Sequence, residues 1–374
     1  MKLCSFLTLM QSFKLARIWL VWLSFLLSTC TVASNKPFLL GMSVALDGPA
    51  KQIGNELSTG ARLYFDELNR QGGIHNSDIK LIVLDDGYEP ARTVDNTKLL
   101  IENEKVDALF TFMGTPTSWA IKSLLEHSKI PFITPFTGAE FLRSPDTFHT
   151  FNVRASYNQE AAEQIHFLVN EKNKKHIALL IQADEFGLTL EKSLLKALQA
   201  HQLQPVTISR FRRNTQDINK ALRRITNSGA TAVAMVGTYA PLAEFINDAQ
   251  ASNLDFEYTT VSFASSQALY QRIAPSAKVM TTEVIPDPLT CEHALCNAFR
   301  QQAQTQKLSI SRLMFEGYIN AFITSQALQL CTLPFERSCL IEKLEHVKIH
   351  DETITELFNR QAENNYVVFR SYNQ

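Results

Sequence analysis

From residue 38 onward, short apolar runs alternate with longer amphipathic stretches, and the hydrophobic period changes at each junction. Residues 38–46 (FLLGMSVAL), 79–86 (IKLIVLDD), 106–114 (VDALFTFMG) and 130–136 (IPFITPF) are rich in Val, Ile, Leu and Phe. They are bounded by Gly, Pro or Asp, and both faces of each run are apolar, as in parallel strands covered by helices on two sides. Between the first two lies NELSTGARLYFDELNRQGG, where Leu57, Ala61, Tyr64 and Leu68 fall on one helical face and Gly72-Gly73 supplies the stop. This is a βαβ series, whose crossover is right-handed almost without exception.

The pattern then restarts. HIALLIQ (176–182), PVTISRF (205–211), TAVAMVG (231–237), YTTVSFA (258–264) and KVMTTEV (278–284) read as strands. Helical stretches at 188–201, 217–229 and 241–253 separate them. Two successive βα series predict an α/β fold of two doubly wound parallel-sheet lobes. NVRASYN (152–158) is the first crossing point between them. A long amphipathic helix (309–328) and a strand-like YVVFRSY (366–372) close the chain. No short-period repeat is present, which removes solenoid folds.

The N-terminal segment changes the picture of where the protein works. Lys2, Lys14 and Arg17 precede the apolar stretch IWLVWLSFLLSTCTVA, and no acidic residue occurs among the first 33. That pattern predicts a signal peptide over 1–33, with Thr31, Val32 and Ala33 at the cleavage positions and a periplasmic destination. Lipid attachment at Cys30 is the alternative. Removing 33 residues from 374 leaves 341, and 33 Lys and Arg then face 37 Asp and Glu. The formal charge moves from −1 to −4, no basis for nucleic-acid binding through clustered cations.

Four cysteines then remain: Cys291, Cys296, Cys331 and Cys339. An even count in an exported chain favours disulfides. Three pairings are possible, of which the two local ones, Cys291–Cys296 and Cys331–Cys339, are preferred. Residues 286–296 must then contain a turn, because a regular helix holds positions five apart beyond disulfide reach. A metal site from Cys291, His293 and Cys296 is the competing reading, with no evident fourth ligand.

The loop ALDGPAKQIG (45–54) joins a strand to a helix, the usual place for an anion in an open α/β sheet. It lacks the Gly-Lys-Ser/Thr of a phosphate loop and the G-x-G-x-x-G of a dinucleotide site, so neither cofactor is expected. Gly48 and Gly54 either admit a ligand close to the backbone or serve a tight turn. Two further loops, GTPTSW and PFTGAEF, place Thr115, Thr117, Ser118 and Thr137 at strand ends, where a hydroxyl caps its own helix or meets a ligand. The chain has no G-x-S-x-G or HExxH motif, and His149 and His166 stand apart from any base–nucleophile pattern. Asp85 and Asp86 are neighbours on a strand and point to opposite faces. Catalysis is not expected.

ALDGPAKQIG, GARLYFDELNRQGGI, DDGYEPARTVDNTKLLIENEKVDALF and PFTGAEFLR together closely resemble the type I periplasmic solute-binding proteins of branched-chain amino-acid ABC transporters. The resemblance runs from residue 38 to the C-terminus and is densest over 38–155; FRRNTQDINKALRRITNSGATAVAMVG continues it in the second series. It implies two lobes joined by a three-crossing hinge, with 36–155 plus 285–335 as lobe one and 156–284 plus 336–374 as lobe two. It also implies a monomer that closes over a small-molecule ligand and delivers it to an inner-membrane ABC permease. A periplasmic subunit signalling through a membrane sensor is the alternative.

Carried over residue by residue, the resemblance implies a pocket of Ile53, Thr117, Ser118, Phe136, Thr137, Gly138, Phe186, Tyr239 and Ser265. Relatives hold an α-ammonium with an acidic side chain in the loop after the strand matching YTTVSFA. This chain has Phe263, Ala264, Ser265 and Ser266 there. An unpaired buried ammonium is costly, so the expected ligand is a small carboxylate or other polar-headed molecule with an apolar body, an amino acid being one candidate. Asp184 or Glu185 would be the substitute anion.

Overall fold

In the computed structural model, residues 36–144, 149–350, 352–357, 360–362, 365–366 and 368–373 are described. The signal-peptide and Cys30 expectations lie outside them. The first sheet contains β1 (Phe38–Val44), β2 (Ile79–Asp85), β3 (Ala108–Phe110), β4 (Phe132–Ile133) and β5 (Thr150–Phe151), all parallel, in the order β2-β1-β3-β4-β5. The second contains β6 (Ile177–Gln182), β7 (Thr207–Phe211), β8 (Ala232–Val236), β9 (Glu257–Thr260) and β10 (Lys278–Glu283). Its order, β7-β6-β8-β9-β10, repeats the first, and β13 (Phe369–Tyr372) is added antiparallel to β10. Two lobes of one topology follow, as the two hydrophobic series predicted. A separate two-stranded ribbon joins β11 (Arg360–Ala362) to β12 (Asn365–Tyr366).

Each strand run is continuous in the core because helices cover both sheet faces. In the first lobe these are α1 (Lys51–Arg70), α2 (Pro90–Lys98), α3 (Thr115–Ala120) and α4 (Lys122–Ser128). In the second they are α5 (Tyr157–His166), α6 (Glu185–Ala200), α7 (Asn219–Thr226), α8 (Tyr239–Ala251) and α9 (Ser266–Tyr270). The first helix starts at Lys51, earlier than its polar pattern suggested, and buries Ile53, Leu57, Ala61 and Phe65 along one stripe. Side-chain caps set other starts: Ser156 and Gln159 form a reciprocal capping box on α5, and Asp184 accepts from Phe186 and Gly187 N–H on α6.

After β10 the chain forms α10 (Ala294–Thr305) and α11 (Arg312–Gln329), and α11 lies along α1. The approach is close enough to require glycine on both sides. A Cβ at Gly60 would strike the Met314 carbonyl, and one at Gly317 the Leu57 carbonyl. The bounds drawn from sequence put 336–374 in the second lobe, and the contacts divide that segment. Helix α12 (Arg337–His350) packs on α11 and β5, and Arg337 donates to the Val106 and Asp107 carbonyls. Helix α13 (Glu352–Leu357) follows on α12, and among the described residues of that segment β13 alone joins the second sheet. Leu340, Leu344 and Val347 are the buried positions of α12, and sequence spacing does not identify the helix they pack against.

Both local disulfides are formed, Cys291–Cys296 and Cys331–Cys339, each with Cα atoms 6.0 Å apart. Asp287 makes the required turn by accepting from Thr290 and Cys291 N–H. Bonding to each other removes Cys291 and Cys296 from the metal alternative.

Candidate functional site

The two sheets present the C-terminal ends of their strands to one another, and the loops there touch across a cleft. The first-lobe loop 45–54 is pinned from below. Asp85 accepts from Leu46, Asp47 and Gly87 N–H, while Asp86 accepts from the Ser43 and Thr93 hydroxyls and from Tyr88 N–H. The neighbouring carboxylates therefore act as separate struts. A Cβ at Gly54 would meet the Ala45 carbonyl, so this glycine lets α1 begin close beneath β1.

Above these struts, rings from both lobes meet. Phe263, from the turn after β9, lies 5.8 Å from Tyr88, 5.2 Å from Phe136 and 4.6 Å from Phe186 between ring centroids. Tyr157 stands 5.6 Å from Phe186. Tyr88 and Phe136 belong to the first lobe and Phe186 and Phe263 to the second, so the cluster closes the cleft with tilted ring pairs. Burial drives the Tyr88 and Tyr157 hydroxyls upward from the usual phenol pKa, which keeps both neutral.

A hydroxyl group of partners borders the rings. Thr115 and Thr137 share a 2.8 Å hydrogen bond, and both contact the Tyr157 hydroxyl. Gly138 lies under Tyr157, where a Cβ would come 2.6 Å from the ring. Thr117 donates to the Met113 and Gly114 carbonyls, which ties the first turn of its own helix to the strand end before it. Ser118, one residue on, is buried and its Oγ has no partner; the same holds for Gln182 Oε1 at the end of β6. Helix α3, which carries Ser118, packs on α6 of the other lobe. Ile53 is fully buried at the start of α1, and the backbone N–H of its neighbour Gln52 donates to the Tyr239 hydroxyl at 3.4 Å.

Next to the ring cluster is a small crevice of about 10 Å³, room for roughly one water molecule, between Glu56 of α1, Ser262, Ser265, Ser266 and Gln267 after β9, Glu283 and Ile285, and Ser311, Arg312, Leu313 and Glu316 of α11. Of the nine pocket residues inferred from sequence, Ser265 lines this space. Phe136 and Phe186 belong to the ring cluster, and Thr137 and Gly138 border its Tyr157. The loop after β9 indeed carries no carboxylate, but Glu56 and Glu283 reach the cleft from α1 and β10. Asp184 is committed elsewhere, to the α6 N-terminus, Gln182 and Arg213. Glu185 is an ordinary first-turn residue of α6.

A buried ionic network backs the cleft at the first crossing. Arg154 donates to Glu316 and Ser262, and its guanidinium lies 4.2 Å from the Phe136 ring centroid. Glu160 accepts from Ser262 N–H and Oγ and from Thr282. Burial raises the Glu160 and Glu316 pKa values, with Arg154 opposing. Burial also opposes the Arg154 charge, but the two glutamates outweigh it and the pKa rises. No group of three or more His, Cys, Asp or Glu suited to a metal occurs among the described residues.

Tyr88, Tyr157, Phe263 and Arg154 were not among the inferred pocket residues. Only Phe263 had a visible signal, its place in the loop where an acid was sought.

The family model described as periplasmic binding protein matches residues 37–371. The crystal structure of a possible leucine/isoleucine/valine-binding protein from Rhodopirellula baltica is 31% identical, covers 85% of this chain and 88% of that one, and superposes with a TM-score of 0.80. A substrate-binding periplasmic protein from Ralstonia solanacearum is 23% identical over 90% of this chain and 97% of that one, with a TM-score of 0.82. An amino acid binding protein of Pseudomonas aeruginosa is 22% identical over 54% of this chain and 54% of its own length. The chain thus spans about half the length of that curated relative and 63% of a Leu/Ile/Val-binding protein of Citrobacter freundii, 18% identical over 62% of this chain.

Proposed function

Because the chain belongs to the periplasmic binding protein family, we propose that it binds a small polar solute between its lobes, outside the cytoplasm, and hands it to an inner-membrane ABC permease. The carrying observation is the cleft itself. Residues of both lobes line a small polar crevice there, and buried Ser118 Oγ and Gln182 Oε1, at strand ends of opposite lobes, have no protein partner. Buried polar atoms are normally satisfied, so a guest that donates to Gln182 and accepts from Ser118 completes the site. An amino acid has both kinds of group, and proteins similar to this one are named for binding amino acids. Glu56, which accepts only from the neutral Gln52 and Ser311 side chains, removes the sequence-based objection to an ammonium.

On this reading Ser118, Phe136, Thr137, Gly138, Phe186, Tyr239 and Ser265 form or brace the site, Ile53 supports the loop, and Thr117 fixes the helix that presents Ser118. The solute leaves unchanged; steady consumption of it by purified protein would contradict the reading. A thermal-shift screen with amino acids, small carboxylates, aromatic acids, nucleobases and polyamines tests it. A true ligand at 100 times its Kd adds about 2.7 kcal/mol of stability, whereas a flat response across the whole panel overturns the reading.

A further inference from the structure

We propose a second ligand site where the chain leaves β10 for α10, a groove that takes a small monoamine with an apolar body. It goes beyond the solute-binding reading and rests on residues other than Ser118 and Gln182. The groove has a volume of about 470 Å³, within the range of small-molecule sites. Tyr270 of α9 and Tyr372 of β13 line it from the second lobe, and Ile310 and Arg312 at the start of α11 line it from the first. Asp287 and Leu289 belong to the connection between the lobes.

The charge of the lining selects a cation. Among the described residues its charged members are Asp287 and Arg312. The guanidinium is already spent: Nη1 donates to the Ile285 carbonyl, Nη2 stands 3.3 Å from Asp287, and Nε stands 3.5 Å from buried Glu283. Two carboxylates against one guanidinium leave a surplus negative charge. The Asp287 side chain is 42% exposed. Its carboxylate accepts from Leu289 N–H and from Arg312, which leaves lone pairs for a guest ammonium. A guest carboxylate would meet the same surplus charge and be repelled. Leu289 and Tyr372, distant in sequence and 62% and 43% exposed, line the same groove, so a guest body lying there takes both out of water.

The walls belong to different lobes, and Gln267 Nε2 of α9 joins them by donating to the Ile310 carbonyl at 3.4 Å. Ser266, Gln267, Ser311 and Arg312 border both this groove and the crevice beside the rings. A guest that fits the groove while the lobes are in contact therefore favours that arrangement.

The experiment is calorimetric titration of the purified protein with phenethylamine, with ethylamine and phenylacetate as controls that lack the body or reverse the charge. Phenethylamine is expected to bind about tenfold more tightly than either. Asp287→Asn, which keeps an acceptor for Leu289 N–H, should weaken it about tenfold, the scale of a hydrogen bond to a charged group. Leu289→Ser, at an exposed position, should weaken it about three- to tenfold. Ser118→Ala should leave it unchanged. X-ray scattering with saturating phenethylamine should give a radius of gyration no larger than that of the free protein; a rise overturns the link to closure. No phenethylamine binding at millimolar concentration, or phenylacetate binding equally well, overturns the site. So does amine binding lost in Ser118→Ala and kept in Asp287→Asn, which places the amine in the cleft. The solute-binding reading stands or falls separately, on the thermal-shift panel.

Discussion

Arg213 Nη2 stands 2.8 Å from Glu89 Oε2, tying the loop after β7 to the start of α2 across the mouth of the cleft. Asn214 adds bonds to Glu89 and to the Gly87 carbonyl, and Arg213 also reaches Asp184 at 3.3 Å. Closure is thereby latched at its rim as well as filled at its centre. The side chains are 20% and 44% exposed, so the pair is worth about 0.2–1 kcal/mol and is screened by salt.

The first prediction follows from that exposure. Glu89→Gln should lower solute affinity about two- to fivefold and enlarge the ligand-free radius of gyration in X-ray scattering. High salt should reproduce the effect in the native protein and add little in the variant. Equal radii at all salt concentrations would mean that the latch does not hold the lobes.

Ser118→Ala separates a ligand contact from a structural one. Its hydroxyl has no partner to lose, so stability should stay within about 0.5 kcal/mol of native, or rise, because a buried unsatisfied group is removed. Affinity should fall about tenfold, the scale of a hydrogen bond to a charged group. Thr117→Ala should do the reverse, costing about 1 kcal/mol of stability through its lost hydrogen bonds to the Met113 and Gly114 carbonyls. Titration calorimetry and thermal melts of both variants decide the matter.

The contrast between Thr117 and Ser118 also marks what the sequence reveals. Strand runs such as IALLIQ and AVAMV are legible because a buried parallel strand needs apolar residues on both faces, and few other elements do. The loops after them are legible as places. Which of two adjacent hydroxyls turns inward depends on helix phase, set by packing against α6. Phe263 is harder still. An aromatic residue in a strand-end loop usually belongs to the core, and only its three ring neighbours, two contributed by the opposite lobe, reveal a plug. The association of 337–350 with the first lobe was hidden for a similar reason, since Arg337 is anchored by carbonyls rather than by any patterned side chain.

Stability should rise on mild acidification. Burial lifts Glu160, Glu283 and Glu316 above the ordinary carboxyl value of 4.5, with Arg154 opposing at Glu160 and Glu316 and Arg312 opposing at Glu283. A carboxyl with a raised folded pKa keeps its proton longer when folded. Its contribution is full below the unfolded value and fades as pH climbs through the folded one. Asp85 runs the other way: burial is outweighed by bonds from Leu46, Gly87 and Arg92, and its pKa is lowered, which matters only in stronger acid. The melting temperature should therefore increase from pH 7 toward pH 5. Glu160→Gln, neutral throughout, should flatten that profile; a fall over the same interval would contradict this assignment.

Gly317→Ala should be among the most damaging single-methyl changes. The new Cβ would be forced into the Leu57 carbonyl, a backbone atom with no rotamer to escape through. Separating α1 from α11 should cost about 1–3 kcal/mol. The protein that remains folded should bind solute normally, because the contact lies within one lobe. Denaturant melts and calorimetry of the folded fraction test both halves of the expectation.

The chain leaves the first sheet after β5, leaves the second after β10, and returns to it at β13. A single tether between two bodies permits swivelling, and a pair permits flapping about the line that joins them. A third tether beside the other two suppresses twist and leaves bending as the soft motion. The mouth should therefore open and shut along one repeatable arc, so that Glu89 and Arg213 meet again in the same register on every cycle.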